Sequence, residues 1–375
     1  MEDGNDTSEG ANWWQEAFEE YTSEYPWENY SYYQNDCCEG GYNCDMNEVG
    51  KFEALFMPIV CSLTFAVGIL GNGLLVSILF RMWKTWSVAD IFILHLGIAD
   101  ILLLVTLPLW AVQYADEWKF GRITCKMAGS LYTVNFYSGI FFLVCISLDR
   151  YFSVVHTQMY SGRKPWVVNV SCLVVWLFSL LLSIPDWIFL DVSPDRLNRQ
   201  QCLRNYTIED MDEWTVLSRS IFHTVGFLIP SVVLIFCYAS IFHRLRSGNQ
   251  NLHKQRACKV IMAVVAVFFV CWTPFNIILF VDTIYSRNRN DTCQSSAALS
   301  KALKVTQSFG YIHCSLNPIL YAFLGEKFQL QLREIFLGGN NMAVSSAKER
   351  VSAWRKRTDK VNLFPTCIQL IKLNW

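Results

Sequence analysis

Long apolar segments alternate with short polar ones along most of this chain. A bilayer core of roughly 30 Å requires about 20 mainly apolar residues in a helix, and seven segments meet that requirement. They are Ala54–Phe80, Ile91–Ala115, Lys126–Val154, Val167–Leu190, Val216–Phe242, Val260–Tyr285 and Leu299–Phe323. The pattern predicts an all-α membrane protein built as a bundle of seven transmembrane helices. The first segment lacks a basic leading region and a cleavage site, so we expect a retained anchor rather than a signal peptide.

The distribution of Lys and Arg predicts the orientation of the bundle. The connections after the first, third and fifth segments are basic, and the last of these, residues 243–259, carries no acid. Because basic loops stay in the cytoplasm, we expect a multi-pass plasma-membrane protein with its N-terminus outside and its C-terminus inside. Four sequons on the expected outer side are candidates for glycosylation. They are Asn5, Asn29, Asn205 and Asn290.

The segment before the first apolar stretch is strongly acidic. Residues 1–50 contain 13 Asp and Glu side chains and no Lys or Arg. An arm of this kind is expected to bind a basic partner. The predicted organisation is therefore an extracellular arm over residues 1–53, a bundle over residues 54–323, and a cytoplasmic region over residues 324–375. That last region begins with a short amphipathic eighth helix.

Cysteines on the expected outer side are candidates for disulfides, which persist in oxidising surroundings. Cys125 opens the third segment and Cys202 lies midway along the second outer loop. We expect these two to pair and to hold that loop over the mouth of the bundle. Cys293, in the last outer loop, needs another partner, and the acidic arm offers three candidates. These are Cys37, Cys38 and Cys44.

Several polar residues fall inside the apolar segments, where ionisable groups are costly and often functional. Asp100 lies near the middle of the second segment, and Asn72, Asn135 and Asn317 lie on other segments. One interpretation is a carboxylate that is hydrogen-bonded only for packing. The other is a polar core that binds a cation such as sodium, or that rearranges between two states.

The third segment ends in an Asp149-Arg150-Tyr151 triplet. Cys125 and Asp149 are 24 residues apart, which is roughly 36 Å of helix, so the triplet is expected at the inner face if Cys125 is at the outer one. An interfacial arginine that reaches into lipid headgroups is the alternative interpretation.

Prolines inside the segments predict bends, because proline removes a helical hydrogen bond. In the second segment and in the fourth to seventh they occur at Pro108, Pro185, Pro230, Pro274 and Pro318. Trp272 precedes Pro274 by about half a turn, which suggests a hinge. Asn317 and Tyr321 flank Pro318 in the same manner near the expected inner face.

In this order and spacing, these motifs resemble the rhodopsin-like G-protein-coupled receptors over roughly residues 50–337. The likeness rests on Gly71-Asn72, Leu96 with Asp100, Asp149-Arg150-Tyr151, Trp176, Pro230, Cys271-Trp272-Thr273-Pro274 and Asn317-Pro318-Ile319-Leu320-Tyr321. Other segments are similar to chemokine receptors. They are Thr106-Leu107-Pro108 with Trp110, Trp118-Lys119-Phe120-Gly121, and the extension of the triplet to His156.

The resemblance implies a set of functional residues. Residues that line the ligand cavity or bind the ligand would be Tyr30, Tyr32, Tyr33, Trp110, Tyr132, Asp186, Asp282 and Tyr311. Some arm tyrosines would be sulfated, and Cys44 best matches the partner of Cys293. The switch and the G-protein contact would be formed by Asp149, Arg150, Tyr151, Tyr238, Trp272, Pro274, Asn317, Pro318 and Tyr321. Gln113 and Gln307 depart from the acids that are usual at their positions.

The resemblance also implies partners. They are a basic chemokine of the CXC group, of the interferon-induced type, and an inhibitory-type heterotrimeric G protein. Arrestin and a receptor kinase would act on the tail. Because the tail has few Ser and Thr residues for phosphorylation, the sequence does not decide whether these two proteins are recruited. Those residues are Ser345, Ser346, Ser352, Thr358 and Thr366.

Other classes of function are less well supported by the sequence. There is no nucleophile–base constellation for an enzyme and no metal-ligand spacing, and no nucleic-acid partner is expected. A non-signalling chemokine scavenger or a receptor for another peptide would share the same fold. A transporter or channel would be expected to show internal repeats, which the sequence lacks.

Overall fold

The structure, a computed structural model, describes residues 46–156, 165–195, 198–206, 211–246, 252–287, 293–324 and 326–336. Helices make up most of these residues. In chain order the α-helices are α1 Met46–Arg81, α2 Val88–Leu104, α3 Leu107–Ala115, α4 Gly121–Val154, α5 Pro165–Leu182, α6 Ile184–Phe189, α7 Met211–His223, α8 Ile229–Arg246, α9 Leu252–Arg287, α10 Cys293–Leu324 and α11 Glu326–Phe336. A short 3₁₀ helix, Trp83–Thr85, follows α1, and a π-helical turn, Thr224–Leu228, joins α7 to α8.

Six helical stretches in the described chain are long and apolar enough to cross a membrane. They are Val49–Arg81, Val88–Ala115, Gly121–Val154, Trp166–Phe189, Glu213–Leu245 and Val260–Tyr285. The seventh predicted segment lies within α10, which is long enough but more polar. Its polar side chains are buried in the bundle, as for Ser308, His313 and Asn317, and this lowers its hydropathy without exposing polar groups to lipid.

The outward face of the bundle is apolar, as a bilayer requires. On α1, the side chains of Leu55, Leu63 and Leu70 are 70%, 63% and 75% exposed. In water these positions would each cost free energy, whereas hydrocarbon chains can cover them. The arrangement agrees with a membrane-spanning bundle.

Two predicted spans are interrupted where bends were expected. The second ends at Leu104 and resumes as α3, with Pro108 in its first turn, and the fourth ends at Leu182 and resumes as α6 before Pro185. Proline is tolerated in a first helical turn because the missing N–H has no helical acceptor there. Pro274 and Pro318, in contrast, lie within the continuous helices α9 and α10.

An antiparallel hairpin covers one end of the bundle. Strand β1, Leu190–Pro194, pairs with β2, Gln200–Arg204, with Val192 opposite Cys202. The Cys125–Cys202 disulfide ties β2 to α4, which confirms the predicted pairing. The backbone N–H of Trp118 donates to the Gln200 carbonyl at 2.7 Å. We call this end the hairpin end, and the end that holds Asp149-Arg150-Tyr151 the triplet end.

Candidate functional site

Aromatic residues predicted to line a ligand cavity come together at the hairpin end. Tyr132 of α4 and Tyr311 of α10 meet edge to face, with ring centroids 5.7 Å apart, and Gln307 donates to the Tyr311 hydroxyl at 3.2 Å. Trp110 of α3 packs both against this cluster and against the cluster around the disulfide. Helices α3, α4 and α10 therefore share one aromatic lining beneath the hairpin.

Asp186, predicted to accept a ligand amine, already has partners within the chain. Its Oδ1 accepts from Nε and Nη2 of Arg204 at 2.7 and 2.6 Å, and its Oδ2 accepts from the Thr133 hydroxyl. Partial loss of hydration disfavours the charged guanidinium, but the Asp186 carboxylate outweighs this effect and raises the pKa of Arg204 above its ordinary value. The pair joins the end of β2 to the bundle.

Asp282, the other predicted acid, is also paired. It lies 2.8 Å from Nη1 of Arg219, which also donates to the Thr283 hydroxyl at 3.0 Å. Arg219 comes from α7, so the contact joins α7 to α9. Both side chains of the ion pair are 23% exposed, so the pair is only partly buried.

Lys304 of α10 is unusual in a cavity expected to attract basic ligands. Its ammonium lies 3.7 Å from Glu53 of α1 and 4.9 Å from the centre of the Tyr114 ring. It also donates to the Tyr114 hydroxyl at 3.5 Å. The lysine is thus held by an acid and an aromatic ring, and it joins α1, α3 and α10.

Gln113, where the resemblance would have an acid, has a structural contact. Its side-chain oxygen accepts from the buried N–H of Cys202 at 2.9 Å. A neutral amide can make this bond without burying a charge. The residue therefore fixes the hairpin next to the disulfide.

Several predicted residues lie outside the described residues, and their roles stay predictions. They are Tyr30, Tyr32, Tyr33, Cys44, Asn5, Asn29 and Asn290. The backbone of Cys293 begins α10, but the Cys293 side chain is not among those that the structure describes. The pairing of Cys293 with Cys44 therefore also stays a prediction. Asn205 follows β2 and is exposed, which suits the glycosylation predicted there.

The predicted polar core forms where three helices meet at mid-bundle. Asp100 of α2 is 1% exposed. Its Oδ1 accepts from Asn135 of α4 at 3.0 Å, and its Oδ2 accepts from Asn317 of α10 at 2.9 Å. Asn72 lies beside this core and donates instead to the backbone carbonyls of Gly68 and Cys314.

The residues around Asp100 are chemically suited to a small cation. A cavity of about 10 Å³ adjoins Asp100 and Asn135, which is roughly one water-sized sphere. Buried Oδ1 atoms of Asn72 and Asn317 have no hydrogen-bond partner among the described residues. Carboxylate and amide oxygens are ligands that hard cations take, and the cavity itself is lined by Asp100 and Asn135 together with Trp272, His313 and apolar residues.

Trp272 lies between the aromatic lining and the polar core. Its ring is 4.6 Å from that of Phe136 and 6.4 Å from that of His313, centroid to centroid. Phe136 in turn stacks on Phe222 at 4.1 Å. Pro274 follows half a turn later within α9, as the hinge hypothesis requires. The indole therefore contacts α4 and α10 and, through Phe136, is connected to α7.

At the triplet end, Arg150 is held by its neighbour. Its Nη2 lies 2.8 Å from Oδ2 of the fully buried Asp149. Tyr238 of α8 bonds to Ser147 of α4, with hydroxyl oxygens 3.0 Å apart. Tyr151 bonds to Nε2 of His156 at 3.1 Å, and the buried Tyr321 ring packs near Phe328 of α11. In this conformation the arginine is engaged within the bundle.

Comparisons with known proteins agree with this geometry. The profile of the 7 transmembrane receptor (rhodopsin family) matches residues 71–321. The C-X-C chemokine receptor type 3 of Rattus norvegicus is 40% identical over 322 residues, covering 82% of this chain and 85% of that receptor.

Two further relatives come from other organisms. The Homo sapiens C-X-C chemokine receptor type 3 is 38% identical, covering 85% of each chain, and the Xenopus laevis C-X-C chemokine receptor type 4-A is 37% identical, covering 81% of this chain and 86% of its own. The chain belongs to the rhodopsin family of seven-transmembrane receptors and, within it, to the chemokine receptors. Receptors of this family are not enzymes.

Proposed function

We propose that this receptor binds CXC chemokines of the interferon-induced type and activates an inhibitory-type heterotrimeric G protein, driving leukocyte chemotaxis and calcium signalling. The names of its relatives support a CXC ligand. The acidic arm supports a basic one, because complementary charge accelerates capture. We also propose that the hairpin end faces outward, since its disulfide suits an oxidising compartment.

The Asp149–Arg150 ion pair is the observation that carries this proposal. It lies at the triplet end, and the aromatic lining that would receive a ligand lies at the hairpin end. Trp272 and the Asp100 core occupy the space between. A ligand that prefers a conformer in which Arg150 leaves Asp149 shifts the population towards it, and the freed arginine can then contact a G protein.

A panel of CXC chemokines, scored by nucleotide exchange on an inhibitory-type G protein, tests the proposal. Wild-type receptor is expected to stimulate exchange with interferon-induced members. Arg150→Ala is expected to bind the same chemokines with unchanged affinity and to lose exchange. Arg81→Ala, which removes an exposed arginine at the same end of the bundle, serves as the matched control and is expected to signal normally.

Two outcomes contradict the proposal. Chemokine binding by wild-type receptor without any exchange would identify a scavenger. Normal exchange by Arg150→Ala would show that the triplet is not the switch. Arrestin and receptor-kinase recruitment, measured with the same ligands, would show whether the tail serves these partners as well.

A further inference from the structure

Asp186 and Arg204 differ sharply in their access to a ligand. Asp186 lies on α6, and its side chain is 4% exposed, whereas the Arg204 side chain, at the end of β2, is 43% exposed. The carboxylate thus lies beneath the guanidinium. A molecule that approaches the pair therefore reaches the arginine more readily than the aspartate.

The contacts of Asp186 leave it little capacity for a ligand cation. One carboxylate oxygen accepts two N–H groups of Arg204 and the other accepts the Thr133 hydroxyl. A ligand amine could reach this carboxylate only by displacing Arg204. The amine would then have to replace both contacts that Arg204 makes with this nearly buried carboxylate.

Arg204 retains donors that these contacts do not use. A guanidinium has five N–H donors and no acceptor, and two of the five bind Asp186. The indole N–H of Trp110, next to the disulfide cluster, has no acceptor among the described residues. The unused N–H groups of Arg204 can only donate, so they fit an oxygen acceptor rather than an amine.

We propose that Arg204 contacts the ligand directly and binds an oxygen acceptor in the N-terminal segment of the chemokine, while Asp186 and Thr133 are positioning residues. The acceptor is either a backbone carbonyl or a side-chain carboxylate. This inference rests on the proposed function and reverses the role that the sequence predicts for Asp186.

The test uses full-length receptor in membranes and the most potent CXC chemokine of the panel as the probe. Its affinity is compared with that of the same chemokine lacking the residues before its first cysteine. Arg204→Gln is expected to weaken binding of the intact chemokine about tenfold or more, the usual effect of losing a charge-assisted hydrogen bond. Affinity for the truncated chemokine should not change, which also shows that the variant folds.

Arg199→Gln is the matched control. Arg199 lies in the same hairpin, is paired with Asp195 at 2.9 Å, and is 41% exposed, close to the value for Arg204. The Arg199→Gln receptor is expected to bind the intact and the truncated chemokine with wild-type affinity. Arg204→Lys keeps a positive donor and should recover part of the lost affinity.

Asp186→Asn separates the two possible roles. Its amide oxygen can still accept from Arg204, so we expect a smaller loss than for Arg204→Gln, again only with the intact chemokine. The inference is overturned if Asp186→Asn abolishes binding while Arg204→Gln tightens it, because Asp186 would then be the cation site and Arg204 its competitor. Equal affinities of wild type and Arg204→Gln for the intact chemokine overturn it as well.

The source of the acceptor is decided on wild-type receptor. A chemokine whose N-terminal acids are replaced by amides should bind unchanged if Arg204 takes a backbone carbonyl, and more weakly if it takes a carboxylate; either result supports the site. If no chemokine binds wild-type receptor, the proposed function itself is contradicted. If chemokines bind but Arg204→Gln leaves their affinity unchanged, only this inference is contradicted.

Discussion

At the scale of single residues, Gly310 determines how closely α10 approaches Trp272. A Cβ atom at this position would lie 2.8 Å from Cη2 of the indole and within 3.2 Å of two other ring carbons. The ring is rigid and is itself packed against Phe136 and His313. Any side chain larger than hydrogen therefore requires the indole or α10 to move.

We expect Gly310→Ala to lower the melting temperature of the purified receptor by several degrees. Overpacking of this kind costs roughly 1–3 kcal/mol, and each kcal/mol corresponds to about 2–4 °C in a domain of a few hundred residues. Gly73→Ala is the control, because a Cβ there meets nothing within 4 Å. Equal melting temperatures for the two variants would contradict the close contact.

The sequence could predict depth in the membrane but not pairing across the bundle. Asp186, Asp282 and Tyr311 were all expected near one end, and the structure places them there. Their partners were not foreseen. Arg204 and Arg219 come from other elements, and contacts of this kind depend on helix rotation and loop course, which residue spacing does not specify.

At the scale of elements, Asn72 of α1 compensates for a helical hydrogen bond that α10 loses at Pro318. Proline has no N–H, so the carbonyl four residues earlier, that of Cys314, loses its helical donor. The Asn72 side chain of α1 donates to that carbonyl at 2.9 Å. Gly71 permits the approach, since a Cβ there would lie 2.8 Å from the Pro318 ring. Helix α1 thus supplies both a donor for the freed carbonyl and the space for the Pro318 ring.

A double-mutant cycle tests this pairing. Asn72→Ala is expected to destabilise the receptor by about 1–3 kcal/mol, because a buried carbonyl loses its donor. In a Pro318→Ala background the restored N–H can serve Cys314, so the same substitution should cost measurably less. Thermal unfolding of the four proteins measures the difference. Additive effects would show that Asn72 and Pro318 act independently.

Proline positions alone could not distinguish a bend from a break. The sequence predicted bends in five spans. The structure has breaks before Pro108 and Pro185, a π-helical turn before Pro230, and continuous helices through Pro274 and Pro318. At Pro318 a side chain from another helix donates to the carbonyl that the proline frees. Such a donor is a tertiary feature, and the local sequence of α10 carries no sign of it.

At the scale of the whole molecule, the Asp100 core joins α2, α4 and α10 in a conformation that keeps Arg150 on Asp149. The sequence predicted this core from polar residues at matching depths. It also predicted seven spans, the last of which lies within α10 and is more polar than the other six. A cation that binds only one arrangement of the core would favour the conformer that contains it.

We therefore propose that sodium binds beside Asp100 and lowers basal nucleotide exchange. Replacing N-methylglucamine chloride with sodium chloride at constant ionic strength should reduce basal exchange by wild-type receptor, since the structure with the intact core also holds Arg150. Asp100→Asn removes the carboxylate charge and should lose this response. The quantity compared is the change that sodium causes, not the absolute exchange rate of Asp100→Asn. An amide cannot accept from both Asn135 and Asn317, so this substitution also changes the core itself.

Asp90→Asn provides the comparison within the same helix. Asp90 is also a buried aspartate of α2, but it caps the first turn by accepting from the Ser87 N–H at 2.7 Å, and an amide oxygen can still accept that bond. Its sodium response should match wild type. An equal sodium response in Asp100→Asn would refute the site, and so would its absence in wild type. If Asp100→Asn alone loses the sodium response, then Asp100 binds the sodium ion, and the bound ion favours the conformer with the Asp149–Arg150 ion pair.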